Sequence, residues 1–148
     1  MKKITKILAF CALALFVSVG FVGCGCSATF SADAIRNNAT SAGYTVEEEP
    51  DLNLENDKKV SQLAGVQKIF KISKGEGDNK EVAIAIVFDS INNAGNLAGT
   101  DLIYIATSVQ DMCGDNKKED FDKGTYNNVA FVGPRACRLA AKINSVPD

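Results

Sequence analysis

At 148 residues, 46% hydrophobic and 23% charged, the chain has room for one domain of ordinary globular composition, which excludes collagen-like, low-complexity and wholly disordered readings. A net charge of −2 excludes a polybasic nucleic-acid binder, and the absence of His excludes His-based triads, His-metal sites and a His pH switch. The charge is unevenly spread: the first 23 residues hold three of the 16 basic residues and none of the 18 acidic ones, leaving a body of net charge −5.

The chain begins with a cationic stretch containing Lys2, Lys3 and Lys6, followed by sixteen uncharged residues, 7–22. That run is short for a transmembrane helix, which needs about 20 apolar residues, and suits a secretory signal peptide. An uncleaved N-terminal anchor is the alternative. The run ends Phe21-Val22-Gly23-Cys24. This segment resembles the lipobox of bacterial lipoproteins, with Phe21 where Leu is usual. The resemblance covers the first 24 residues and implies cleavage between Gly23 and Cys24, with a diacylglyceryl thioether on Cys24. Cys26 is a second candidate for the lipid, and a cut after Ala28 would instead release a soluble secreted chain. The resemblance further implies a lipid-anchored protein on the extracytoplasmic face of the cell membrane. Gly25, in place of the Asp of inner-membrane lipoproteins, favours the outer membrane if the envelope has two membranes.

Residues 24–30 read as a short tether, and residues 31–148 as one small domain. Ser31 caps a helix with Asp33 in its first turn, Ala32, Ile35, Ala39 and Ala42 on one face and Gly43 at its end. Tyr44-Thr45-Val46 has strand character, and 47–59 reads as an acidic loop. A helical turn over 60–64 stops at Gly65. Residues 66–74 form a strand with Val66, Phe70 and Ile72 facing one way, its Lys68, Lys71 and Lys74 marking a sheet edge. The cluster Gly75-Glu76-Gly77-Asp78-Asn79 turns the chain into a second strand over 80–88, which carries no charge between Val82 and Phe88 and is therefore covered on at least one side.

Asp89-Ser90 caps a helix whose apolar stripe is Ile91, Ala94, Ala98, Leu102, Ile105, Val109 and Met112. Gly95, Gly99 and the β-prone run 102–105 leave a strand reading of 91–112 open. Residues 113–124 read as a loop, 126–132 as a strand, and Gly133-Pro134 opens a helix with Ala136, Leu139, Ala140 and Ile143 on its inner face. The order helix, strand, strand, strand, helix, strand, helix predicts an α+β fold: a small antiparallel sheet with helices packed on one face, loosely ferredoxin-like in layout alone.

Among the cysteines left after the leader and Cys24, Cys113 and Cys137 are the candidate disulfide, with separate buried thiols as the alternative. A catalytic Cys137 would need activation by its neighbours Arg135 and Arg138, since no His exists. The carboxylates at 47–51 and 111–122 do not match the spacing of a calcium loop, and Lys117, Lys118 and Lys123 interleave the second group. They read as solvated loops, so the sequence names no catalytic residue, metal site or cofactor. The expected role is a non-catalytic interaction or envelope-maintenance module with a protein or peptide partner and no nucleic acid. The alternatives are an envelope enzyme using carboxylates or Cys137, and a small binding subunit accessory to a transporter. A concave pocket gathering ionisable groups would favour an enzyme; an apolar surface patch or a free strand edge would favour a binding module.

Overall fold

Every residue of Glu81–Phe88 is buried, and the rest of the domain is arranged to cover this strand on both faces. The structure is a computed structural model describing residues 28–49 and 52–144; the leader expected over residues 1–23, with Gly23, and the lipid candidates Cys24 and Cys26 lie outside the described residues. In chain order the elements are α1 (Ala32–Ser41), β1 (Thr45–Glu48), β2 (Val66–Lys74), β3 (Glu81–Phe88), α2 (Ile91–Gly95), α3 (Gly99–Met112), β4 (Phe121–Tyr126), β5 (Val129–Pro134) and α4 (Arg135–Ala140), with short 3₁₀ turns between some of them. The strands form one antiparallel sheet in the order β1-β2-β3-β5-β4, which makes the fold α+β.

Alternation along β3 builds two cores. Val82, Ile84, Ile86 and Phe88 point to one face, where they meet Ile105, Ala106 and Val109 of α3 and Ala94 of α2. Ala83, Ala85 and Val87 point to the other, where they meet Ile35 and Ala39 of α1 and Cys137 of α4. The helices thus lie on both faces, not on the one face expected. Small residues on the second face have a reason: Ala85 is paired with Phe70 on β2 and with Phe131 on β5, and its single methyl leaves space for the two buried rings.

The expected helix over 31–43 is α1: the Ser31 hydroxyl accepts the Ala34 N–H at 3.0 Å, and Gly43 takes φ +88°, which a side chain would resist. β2 has its expected bounds, yet a register shift between Val66 and Lys68 sends Val66 to the α3 core while Phe70 and Ile72 stay with the other. Its lysines do not mark an edge, because β1 pairs outside it and Lys68 reaches across to Glu48. The long helix expected over 91–112 is broken into α2 and α3 between Gly95 and Gly99, two poor helix formers, so that Leu97 is buried and Ala98 and Met112 are exposed.

The larger correction concerns the last third. The strand expected over 126–132 is in fact a hairpin, β4 and β5, joined by Asn127-Asn128, and β4 reaches back to Phe121 through residues expected to be a loop. Asn127 takes φ +55°, a conformation Asn tolerates better than most residues. α4 buries Cys137 rather than the expected Ala136 and Leu139, both of which are exposed.

Asn128 also fastens the start of the domain. Its buried side-chain amide donates to the carbonyls of Phe30 and Phe88 at 3.0 and 2.9 Å, and its oxygen accepts the Phe30 N–H at 2.7 Å. Asn127 adds a bond to the Ala28 carbonyl at 3.1 Å. Replacing Asn128 with Ala leaves these backbone groups without partners and should cost about 3 kcal/mol, whereas Asn127→Ala should cost well under half of that. Urea unfolding of the two variants checks the difference.

Candidate functional site

The two cysteines expected to pair are free. Cys113 belongs to the core beneath α3 and Cys137 to the core beneath α1 and α4, so the sheet separates them. Each thiol has a packing role instead. β5 pairs with β3 only from Ile84 onward, and next to that end the Cys113 thiol donates to the Val82 carbonyl at 3.2 Å and accepts the Val82 N–H at 3.3 Å. The adjoining Gly114 N–H donates to the Lys80 carbonyl at 2.8 Å, and a Cβ at Gly114 would collide with the Asp78 carbonyl. Cys113 and Gly114 therefore extend the sheet's bonding where no strand continues.

Cys137 is fully buried, and desolvation raises its thiol well above the ordinary value, with the charge of Glu81 adding to the shift. Its arginine neighbours do not activate it. Arg138 donates to Asp122 at 2.7 Å and stacks over the Tyr126 ring, and Arg135 bonds the same carboxylate at 3.3 Å. A buried thiol held in its protonated form is a poor nucleophile.

The carboxylates are dispersed among cations. Asp115 pairs with Lys118 at 2.9 Å, and Asp122 with the two arginines. Among the described residues no three His, Cys, Asp or Glu side chains group as metal ligands. Glu48, Glu49 and Lys68 line an open notch of about 460 Å³ beside β1 and β2. There Glu48 is bonded by Arg36 at 2.6 Å and Lys68 at 3.1 Å, and those bonds hold its carboxyl below the ordinary value. The buried Glu81, which sequence reasoning did not single out, accepts the Tyr44 hydroxyl at 2.6 Å and pairs with Lys117 at 3.2 Å. This trio ties the end of α1 to the start of β3 and to the 3₁₀ turn Asp115–Lys117.

The apolar surface lies on α3. Ile105, Ala106 and Val109 face the sheet, while Ile103 is 54% exposed, Tyr104 42% and Met112 37%. Two shallow depressions, of about 390 and 240 Å³, run along this outer side against Leu52, Asn53 and Glu55, and Tyr104 and Ser108 line both. Asp101 and Asp111 stand three residues before and seven after Tyr104, on the same side of the helix, and α3 itself contains no Lys or Arg. Among the described residues no helix is long and apolar enough to cross a membrane.

Cys113→Ala should cost about 2 kcal/mol by stranding both backbone groups of Val82, and Cys113→Ser, which keeps a donor and an acceptor there, should cost less; thermal unfolding of the pair reads the difference. Burial raises the Cys113 and Cys137 thiols above 9.0 and, with the bond to Glu81, the Tyr44 hydroxyl above 10.0. Above pH 9 the unfolded chain releases protons that the native state retains, so stability should be level through neutral pH and fall as pH rises further. Urea midpoints measured from about pH 7 to about pH 10.5 should show that loss. No family model matches the chain, and neither a curated protein nor a solved structure matches it.

Proposed function

We propose that this protein is a bacterial surface lipoprotein, anchored through Cys24 on the extracytoplasmic face of a membrane, whose single α+β domain is a non-catalytic interaction module. The observation that carries the anchoring is the lipobox-like Phe21-Val22-Gly23-Cys24 at the end of an uncharged run. A thiol is the common side chain nucleophilic enough for selective alkylation, and Gly23 lets a peptidase approach the bond to be cut. Two or three acyl chains give lasting attachment, each buried CH₂ contributing about 0.8 kcal/mol.

The fastening of residues 28 and 30 supports a short leash. Four peptide steps separate Cys24 from Ala28, whose carbonyl is bonded to Asn127, and four steps of backbone span at most about 14 Å. A domain so mounted stays close to its membrane. The interaction role is supported by the exposed Ile103, Tyr104 and Met112 on α3.

An inhibitor of lipoprotein signal peptidase should cause a longer, membrane-bound precursor to accumulate. Metabolic labelling with a fatty acid should mark the wild type and Cys26→Ser but not Cys24→Ser. Labelling that survives Cys24→Ser would reject the anchor.

A further inference from the structure

We infer that the outer face of α3, together with residues 52–55, is a docking groove for an amphipathic helical segment of another protein, apolar along one side and flanked by Lys or Arg. The inference rests on the interaction-module reading and names the surface and the partner's chemistry. A helix is favoured because the groove is walled by side chains of α3 and a loop, and among the described residues no strand edge lines it for an extended peptide to pair with. α3 has 14 residues and runs about 20 Å, the length of several turns of a partner helix.

Charge selects the partner's flanks. Tyr104 projects between the two depressions as a ridge, with Asp101 and Asp111 on its side of the helix and Glu55 on the opposite wall. Lys118, beyond the C-terminal end of α3, has Asp111 within its field but is bonded to Asp115. The helix thus presents apolar side chains framed by carboxylates, while the facing loop runs on to Lys58 and to Lys59, whose backbone bridges to Asn53.

That frame argues against two other occupants. If the outer faces of α3 from two copies packed antiparallel with the two-fold axis at the level of residue 106, Asp101 of each chain would oppose Asp111 of the other, a like-charge clash. An anionic lipid surface would meet the same three carboxylates. A helix with Leu-like residues for the Ile103 and Tyr104 side and Lys or Arg for the aspartates satisfies both features at once.

The test uses the full chain, taken from whichever fraction holds it, membranes in nanodiscs or the soluble pool, so that a wrong anchor and a wrong groove are separately visible. The probe is a helical peptide of Leu and Lys in amphipathic heptads, with a Leu/Glu peptide of the same pattern and a scrambled Leu/Lys peptide as controls. Saturable binding of the first alone is expected, with amide shifts confined to residues 52–55 and 100–112. Tyr104→Ala should weaken it about tenfold, the scale of an interface hot spot, and Ile103→Ser and Asp111→Asn should each weaken it less. Shifts scattered over the acidic surface, equal binding by the Tyr104→Ala variant, or failure to saturate would overturn the groove. So would α3-dependent dimerisation, or α3-dependent binding to anionic vesicles in place of the peptide.

Discussion

A strand with no exposed side chain sets the terms for this molecule. The eight residues of β3 are buried on both faces, so helices must cover both, and the chain has to divide its short elements between two cores. It does so asymmetrically. Large residues on β3 face α3, and alanines face the side where Phe70 and Phe131 bring their own bulk. Each core is thus filled once, by β3 on one face and by its neighbours on the other.

Full burial moves the polar problem to the ends of the strand. At the start of β3 the Val82 backbone is satisfied by a thiol, the Lys80 carbonyl by Gly114, and the Glu81 carboxylate by Tyr44 and Lys117. At its far end the Phe88 N–H donates to the Asn128 carbonyl, and the Phe88 carbonyl accepts from the Asn128 side chain. Among the described residues no buried side-chain nitrogen or oxygen lacks a partner. The unusual residues of the domain, Cys113, Glu81 and Asn128, are thereby explained as strand closures. This also separates Cys113 from Cys137: the first is needed at the end of β3, the second is packed under a helix on the other side of the sheet.

What could be read in the sequence follows from the same division. α1 with its Ser31 cap and the β2–β3 hairpin were legible because capping and period-two alternation are local signals. β4 was not, because Phe121–Tyr126 is an edge strand whose Asp122 serves the arginines of α4 and whose Gly124 adds no apolar side chain. The Asn127-Asn128 turn was hidden inside an apolar-looking run, although two adjacent Asn residues between strand-like segments are a recognisable turn signal. The exposed face of α3 was illegible for another reason. Ile103 and Tyr104 adjoin Leu102 and Ile105, so apolar residues occur nearly all round that turn, and periodicity cannot say which of them meet the sheet.

The two ends of the functional proposal meet in this geometry. Phe30 packs with the core of α1 and α4, while α3 belongs to the opposite core, so the chain joins one face of the sheet at Phe30 and the apolar helix crowns the other. Asn128 holds that junction with three hydrogen bonds, at the same turn that closes β3. The sheet therefore lies between Phe30 and the exposed helix. Under the proposed anchoring through Cys24, a leash bonded at Ala28 and Phe30 would reach the domain on the side of the sheet that α3 does not cover. On that proposal the Asn127-Asn128 turn, which closes a buried strand, would also set the side on which the anchored segment arrives, opposite the apolar helix.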